Sequence, residues 1–300
     1  MDNPVDILSL DVAALKDFLN SFDHVFSDCD GVIWEQAPLP GSGEFFELMT
    51  ELGKTVNFVS NNSLRPREDY ERMFAAAGIK NGFERLTIPS TAIAEYLKSH
   101  KFNKKVYCVS CSETVRILEA NGLKCETGPQ IGPDFYLEYS KYLADDEEVG
   151  AVVFDSDFQI NLPKMYKAIT YLQRPDVMYL NGATDRYVLL KPDQLSLGIG
   201  IFADIVSHEA KREPVLLGKP GKAFGEFAMK RAGVTDASRV LFIGDMIEQD
   251  IGLGKAIGFK TMLVMTNNTH EQMLTHPTLK PNYYAKCLGS VVPLLKRLLE

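Results

Sequence analysis

The sequence predicts an α/β fold: a parallel sheet flanked by helices, with a second, large α/β unit inserted into it. Three observations carry this expectation. Short apolar runs ("HVFSD", "TVNFVSNN", "EPVLLGKP", "RVLFIGD" and "KTMLVMT") alternate with helical patterns, as strands buried under crossover helices do. The stretch 102–212 has an alternation of its own between strands of the first set. The chain's 300 residues, 45% of them hydrophobic, can bury a large core as one domain with an insertion or as two domains.

The helices of the first set are legible from their ends. "PREDYERMFAAAG" has Pro66 near its start, acids in its first turn and Gly78 as a stop, and "GKAFGEFAMKRAG" stops at Gly233. Both read as crossover helices. The middle reads as "KKVYCVS", "SETVRILEANG", "EVGAVVFDS", "NLPKMYKAITYLQ", "DVMYLNG" and "LSLGIGIFADIVSHEA" in alternation. The expected organisation is a main domain of residues 1–101 and 213–300, with residues 102–212 inserted. "ADDEEVG" at 144–150 reads as a solvated acidic turn.

A net charge of -8 and a pI near 5.3 argue against nucleic acid or an anionic membrane as a partner. Small molecules or proteins fit better. The opening "MDNPVDILSL" lacks a basic segment followed by an apolar one, and no later apolar run approaches the ~20 residues of a membrane span. The expectation is a cytoplasmic protein. Five cysteines cannot form a complete disulfide set and read as reduced thiols. Cys108 and Cys111 have a C-x-x-C spacing without a second pair or a nearby histidine, and they read as small residues at a strand end.

Ligands of such sheets bind beyond the carboxyl ends of the strands, and four apolar runs deliver polar residues there. The first ends in Asp28-Cys29-Asp30-Gly31, the second in Ser60-Asn61-Asn62, a later one in Gly218-Lys219-Pro220 and the next in Gly244-Asp245. Phosphoryl transfer needs an in-line nucleophile, a proton donor for the leaving oxygen, neutralising charge and donors to the equatorial oxygens. Asp28, first off its strand, suits the nucleophile, since a carboxylate can form an aspartyl-phosphate. Asp30 can protonate the leaving oxygen and then deprotonate water. Asp245 adds a carboxylate, and oxygen ligands without His or Cys suit Mg²⁺. Ser60 and the N–H groups after it can donate to phosphate, and Lys219 can pair with Asp28 and the phosphoryl group. Gly31 and Gly244 suit tight turns. Asp250 reads either as a residue supporting the metal end of the site or as a helix cap.

The ordered set "DCDG", "SNNS", "GKP" and "GDMIEQD" resembles the haloacid dehalogenase superfamily. "DCDGVIW…PLPG" with "FVSNNSLRPRE" resembles its 4-nitrophenylphosphatase branch, which includes phosphoglycolate and pyridoxal phosphate phosphatases. The resemblance implies a Rossmann-like core with a large inserted cap of the C2 type, and a homodimer through that cap. It implies Asp28 as nucleophile and Asp30 as general acid and base. Mg²⁺ would lie on Asp28, on the backbone carbonyl of Asp30 and on Asp245, and phosphate would contact Ser60, Asn61, Asn62 and Lys219. The stretch "LNGATDRYVLLKPDQ" matches the family's "ATD" loop, but Tyr187, Val188, Leu189 and Leu190 follow Arg186 where pyridoxal phosphatases use a histidine. That points away from pyridoxal phosphate and toward a less polar specificity pocket.

The expected activity is Mg²⁺-dependent hydrolysis of a small phosphorylated metabolite such as 2-phosphoglycolate, and of 4-nitrophenyl phosphate. A phosphatase of protein phosphotyrosine shares the chemistry with a different leaving group. A phosphomutase would have to shield the aspartyl-phosphate from water, which nothing in the sequence indicates. The intact set Asp28, Asp30, Lys219 and Asp245 counts against a binding module that has lost turnover.

Overall fold

The chain's computed structural model describes residues 3–130, 136–142, 144–191 and 194–299. Its strands, in chain order, begin with β1 (Val5–Asp6), β2 (His24–Ser27), β3 (Thr55–Val59), β4 (Leu86–Thr87), β5 (Lys105–Val109), β6 (Lys124–Thr127) and β7 (Val149–Phe154). They continue with β8 (Met178–Asn181), β9 (Tyr187–Lys191), β10 (Gln194–Leu197), β11 (Val215–Leu216), β12 (Val240–Gly244), β13 (Lys260–Val264) and β14 (Tyr283–Ala285). One sheet has seven strands in the order β1-β14-β13-β12-β2-β3-β4, and every pairing is parallel. A second parallel sheet runs β11-β8-β7-β5-β6. β9 and β10 form an antiparallel hairpin.

The fold is therefore the expected α/β one, with two parallel sheets. β12 and β7 are buried along their whole length, which is why they read as unbroken apolar runs rather than alternating ones. The predicted helix stops also hold. The helix Arg67–Ala76 is followed by Gly78 at φ 77° and Lys222–Ala232 by Gly233 at φ 69°, left-handed conformations that glycine adopts without a Cβ penalty. Among the described residues, no helix is long and apolar enough to cross a membrane.

Two compact units divide the chain. One consists of Met1–Ser60, Pro66–Thr87 and Lys219–Glu300, the other of Asn61–Arg65 and Ile88–Gly218. The span 102–212 read from the sequence is the inner part of the second unit. The helix Pro89–Ser99 joins that unit by packing on Ser112–Ala120, and Lys98 Nζ donates to Asn121 Oδ1 at 2.6 Å. "EPVLLGKP" needs a correction. Its strand β11 does not belong to the first sheet but pairs with β8, and the Leu217 N–H extends the pairing to Asn181 O at 2.7 Å. An apolar run shows that a strand exists without showing its partner.

The second unit closes over an aromatic and aliphatic core between β7 and its flanking helices, including Tyr107, Val152, Phe154, Tyr171 and Val206. Phe154 is fully buried and meets Tyr179 edge to face at 6.2 Å. Phe154→Ala should lower stability by about 3–5 kcal/mol, read as a shift of the urea unfolding midpoint. A shift worth less than about 1 kcal/mol would show that this core relaxes around the cavity.

Candidate active site

In the seven-stranded sheet the chain leaves β2 for β3 and β4 on one side, while β12, β13 and β14 extend on the other. β2 and β12 are neighbours, with Ser27 opposite Ile243, so the strand order reverses between them, where α/β sheets bind ligands. Asp28 leaves the end of β2 and Asp245 the end of β12. Asp28, Asp245 and Asp250 bring carboxylate oxygens within 4.8 Å of one another, and all three residues are buried, at 7%, 2% and 0% exposure. Lys219, 1% exposed, places Nζ 2.8 Å from Asp28 Oδ1 and 2.7 Å from Asp250 Oδ1.

Local backbone geometry makes this crowding possible. Residues Ile247–Ile251 form a π-turn, a wider turn frequent at functional sites. It carries Asp250 back so that Oδ2 accepts the N–H groups of Asp245 and Met246, each at 2.9 Å. Asp250 is thus not the cap of the helix Gly252–Ile257, whose N-cap is Ile251. Gly31 has φ 77°, and a Cβ there would strike Asp245 Oδ2. Gly244 is different from expectation: its φ is not positive, and it is small because a Cβ would collide with the Asp250 carboxyl.

Asp245 is held by two residues that the sequence reading did not single out. Asn267 Nδ2 donates to Asp245 Oδ2 and Asn268 Nδ2 to the Asp245 carbonyl. They follow β13 as "TNN", so the strand-end reasoning applied to the other four runs could have found them. Asp245 Oδ1 is buried with no hydrogen-bond partner.

The charges explain the titration behaviour. Burial raises the Asp28 carboxyl well above its ordinary range, Lys219 opposes this, and Asp250 and Asp245 add to it. Asp245 is pushed up to about 7, by burial first and then by Asp250, against the pull of Asn267. The Lys219 ammonium loses hydration on burial, but the two carboxylates raise its value above the ordinary one and keep it charged.

The other expected residues lie as follows. Asp30 Oδ1 accepts from Trp34 Nε1 at 3.0 Å. Ser60, at the end of β3, takes the Tyr70 hydroxyl at 3.4 Å, and its N–H donates to Thr87 O at 3.0 Å. Asn61 and Asn62 belong to the second compact unit. There Asn61 Nδ2 lies 3.5 Å from Asp185 Oδ2, and Asn62 Oδ1 accepts the Leu64 N–H at 3.1 Å. Tyr187 of β9 is 60% exposed and Val188 is half-buried, and the side chains of Leu189 and Leu190 fall outside the described residues.

The carboxylate cluster suits a hard divalent cation. With all three acids ionised, one ammonium leaves two negative charges for a divalent cation to balance, and Asp245 Oδ1 is an acceptor without a donor. All the donor atoms are oxygens, as Mg²⁺ prefers.

Comparison with known proteins agrees with this chemistry. The haloacid dehalogenase-like hydrolase family matches residues 25–124, and a HAD-hydrolase-like family matches residues 216–291. Phosphoglycolate phosphatase 2 of Arabidopsis thaliana is 30% identical over 289 residues, covering 94% of this chain and 96% of its own. The chain belongs to the haloacid dehalogenase superfamily. It is a phosphatase of the branch that holds phosphoglycolate phosphatases and 4-nitrophenylphosphatases. Glycerol-3-phosphate phosphatase of Rattus norvegicus is 26% identical and covers 97% of both chains. The p-nitrophenyl phosphatase from Archaeoglobus fulgidus superposes with a TM-score of 0.77 at 28% identity, covering 91% of this chain and 99% of its own.

The carboxylate cluster of this chain yields two expectations. In EDTA, the Asp245 carboxyl opposes folding, because its value of about 7 stands above the ordinary 3.8. The cost is absent at pH values below 3.8, grows as pH rises and is complete above about 7. Asp245→Asn in EDTA should therefore melt above wild type at pH 8, with the gap narrowing toward pH 4; a gap independent of pH would contradict the charge argument. Asn267→Ala should weaken divalent-cation affinity by about 10–100-fold, measured by titration calorimetry, and unchanged affinity would reduce Asn267 to packing.

Proposed function

We propose that the protein hydrolyses a small phosphomonoester with Mg²⁺ through an aspartyl-phosphate on Asp28. The observation that carries this reading is the buried Asp28 carboxylate held by Lys219 beside two further acids that leave a divalent charge to balance. Asp28 Oδ1 is engaged by Lys219 and by the Cys29 N–H at 2.7 Å, so Oδ2 is the attacking atom. Its attack on phosphorus, in line with the leaving oxygen, forms the acyl phosphate. Asp30, oriented by Trp34, protonates the leaving oxygen, then takes a proton from the water that attacks the acyl phosphate and releases phosphate.

Asp28, the Asp30 carbonyl and Asp245 would hold Mg²⁺, which when bound supplies positive charge to the phosphoryl oxygens. Asp250 acts behind them by fixing Lys219 and the N–H groups of Asp245 and Met246. Lys219 stays cationic and offsets charge on the transferred group. Ser60, Asn61 and Asn62 would bind the phosphate oxygens.

The substrate class is a small phosphorylated metabolite, with 2-phosphoglycolate the leading member. The names of the plant and rat relatives support this, since both substrates are short anionic phosphomonoesters. Tyr187, Val188, Leu189 and Leu190 would form the less polar part of the specificity surface. All five cysteines are free thiols, which supports a reducing, cytoplasmic setting. Assembly as a homodimer through the inserted unit draws support from the exposed Tyr187, Leu195 and Leu197 of the hairpin.

The test is phosphate release from 2-phosphoglycolate, glycerol 3-phosphate, 4-nitrophenyl phosphate, pyridoxal phosphate and a phosphotyrosine peptide. Turnover should require Mg²⁺, fall to the blank in Asp28→Asn and drop by about 10²–10⁴-fold in Asp30→Asn. An active Asp28→Asn enzyme would remove Asp28 as nucleophile, and a preference for the peptide would move the substrate class to proteins. Polar replacements at 187–190 should reorder the small esters, and an unchanged ranking would refute that role.

A further inference from the structure

Cys108 and Cys125 lie side by side on one face of the five-stranded sheet. β5 and β6 run parallel, with Val106 opposite Cys125 and Cys108 opposite Thr127. Residues two apart on a strand share a face, so both thiols emerge on the same one, where Cys108 Sγ lies 3.7 Å from Val106 O, the residue opposite Cys125. The C-x-x-C spacing makes Cys108 and Cys111 neighbours in sequence only. Cys111 instead precedes the helix Ser112–Ala120, with its Sγ 3.6 Å from Ser63 O and 3.5 Å from Thr114 Oγ1. Cys108 is buried, whereas Cys125 is half-buried on β6, which among the described residues is an edge strand paired on one side only.

We propose that Cys108 and Cys125 form a dithiol modification site for small disulfides, which closes to an intramolecular disulfide between β5 and β6. Cys125 reacts first, because it is the more accessible thiol. The neighbouring Cys108 thiol also lowers the Cys125 value, while the Cys125 thiol and burial raise that of Cys108, and the thiolate is the nucleophile. The Cys125 thiolate attacks one sulfur of the disulfide and displaces a thiolate, which takes up the proton that Cys125 gave to solvent. Cys108 then loses its proton, attacks the Cys125 sulfur and displaces the second thiolate, which is protonated in turn. Two protein thiols are oxidised and one small disulfide is reduced to two thiols. With a free outer edge, β6 can shift to bring the sulfurs to bonding distance.

The test treats the folded protein with oxidised glutathione, alkylates remaining thiols in denaturant and maps tryptic peptides without reduction. Peptide 106–116 should be linked to peptide 125–141 with Cys111 alkylated, and free thiols should fall by two from five. Cys111→Ser should keep the link, whereas Cys125→Ser should abolish it and leave Cys108 alkylated. A Cys108–Cys111 link would overturn the proposal, as would glutathione retained on Cys125 without closure or full alkylation of both thiols.

Discussion

The structure around the first sheet depends on one electrostatic constraint: three buried carboxylates share a single ammonium. Asp28, Asp245 and Asp250 lie at the reversal point of a parallel sheet with Lys219 between two of them. Charges so placed repel and lose hydration, so the surrounding fold supplies every compensating device. Asp250 takes two backbone N–H groups through a π-turn, Asp245 takes an amide from Asn267, and Lys219 bridges Asp28 and Asp250. The glycines at 31 and 244 exist to let these groups approach. One oxygen, Asp245 Oδ1, stays unmatched, and that unmatched acceptor beside two further acids is what suits the cluster to a divalent cation.

The strand ends were legible because a strand buried on both faces leaves a continuous apolar run, and any polar residue at its end stands out. Asp28 and Asp245 stand out in this way, and Lys219 does so after the apolar run that holds the half-buried β11. Asn267 and Asn268 satisfied the same rule and were passed over because asparagines after a strand are also ordinary turn residues. Val5–Asp6, Leu86–Thr87 and Tyr283–Ala285 were not read at all, since two or three residues carry no period. Partnership was the least legible property. β11 reads like a strand of the main sheet, yet its hydrogen bonds go to β8, and no local pattern encodes that choice. Cys108 likewise has a near neighbour in sequence, Cys111, and a different one in space, Cys125, which only the parallel register of β5 and β6 discloses.

The second sheet shows that a buried acid at a strand end is not by itself a candidate site. Its order reverses between β5 and β7, and Asp155 follows β7 at that point, fully buried. By position alone it is the counterpart of Asp28 and Asp245. Its surroundings differ: Oδ1 accepts the Ala183 N–H at 3.0 Å and Oδ2 the Thr114 hydroxyl at 2.9 Å. Burial still raises its value, but both oxygens have neutral donors. A Cβ at Gly182 would press on this carboxyl at 2.7 Å, so the backbone packs closely against it. Asp155 therefore ties loops together. Asp28 is held by the Lys219 ammonium and Asp245 leaves Oδ1 without a donor, and that difference in hydrogen-bond supply, rather than the strand-end position, is what sets the first-sheet acids apart and supports the proposed role.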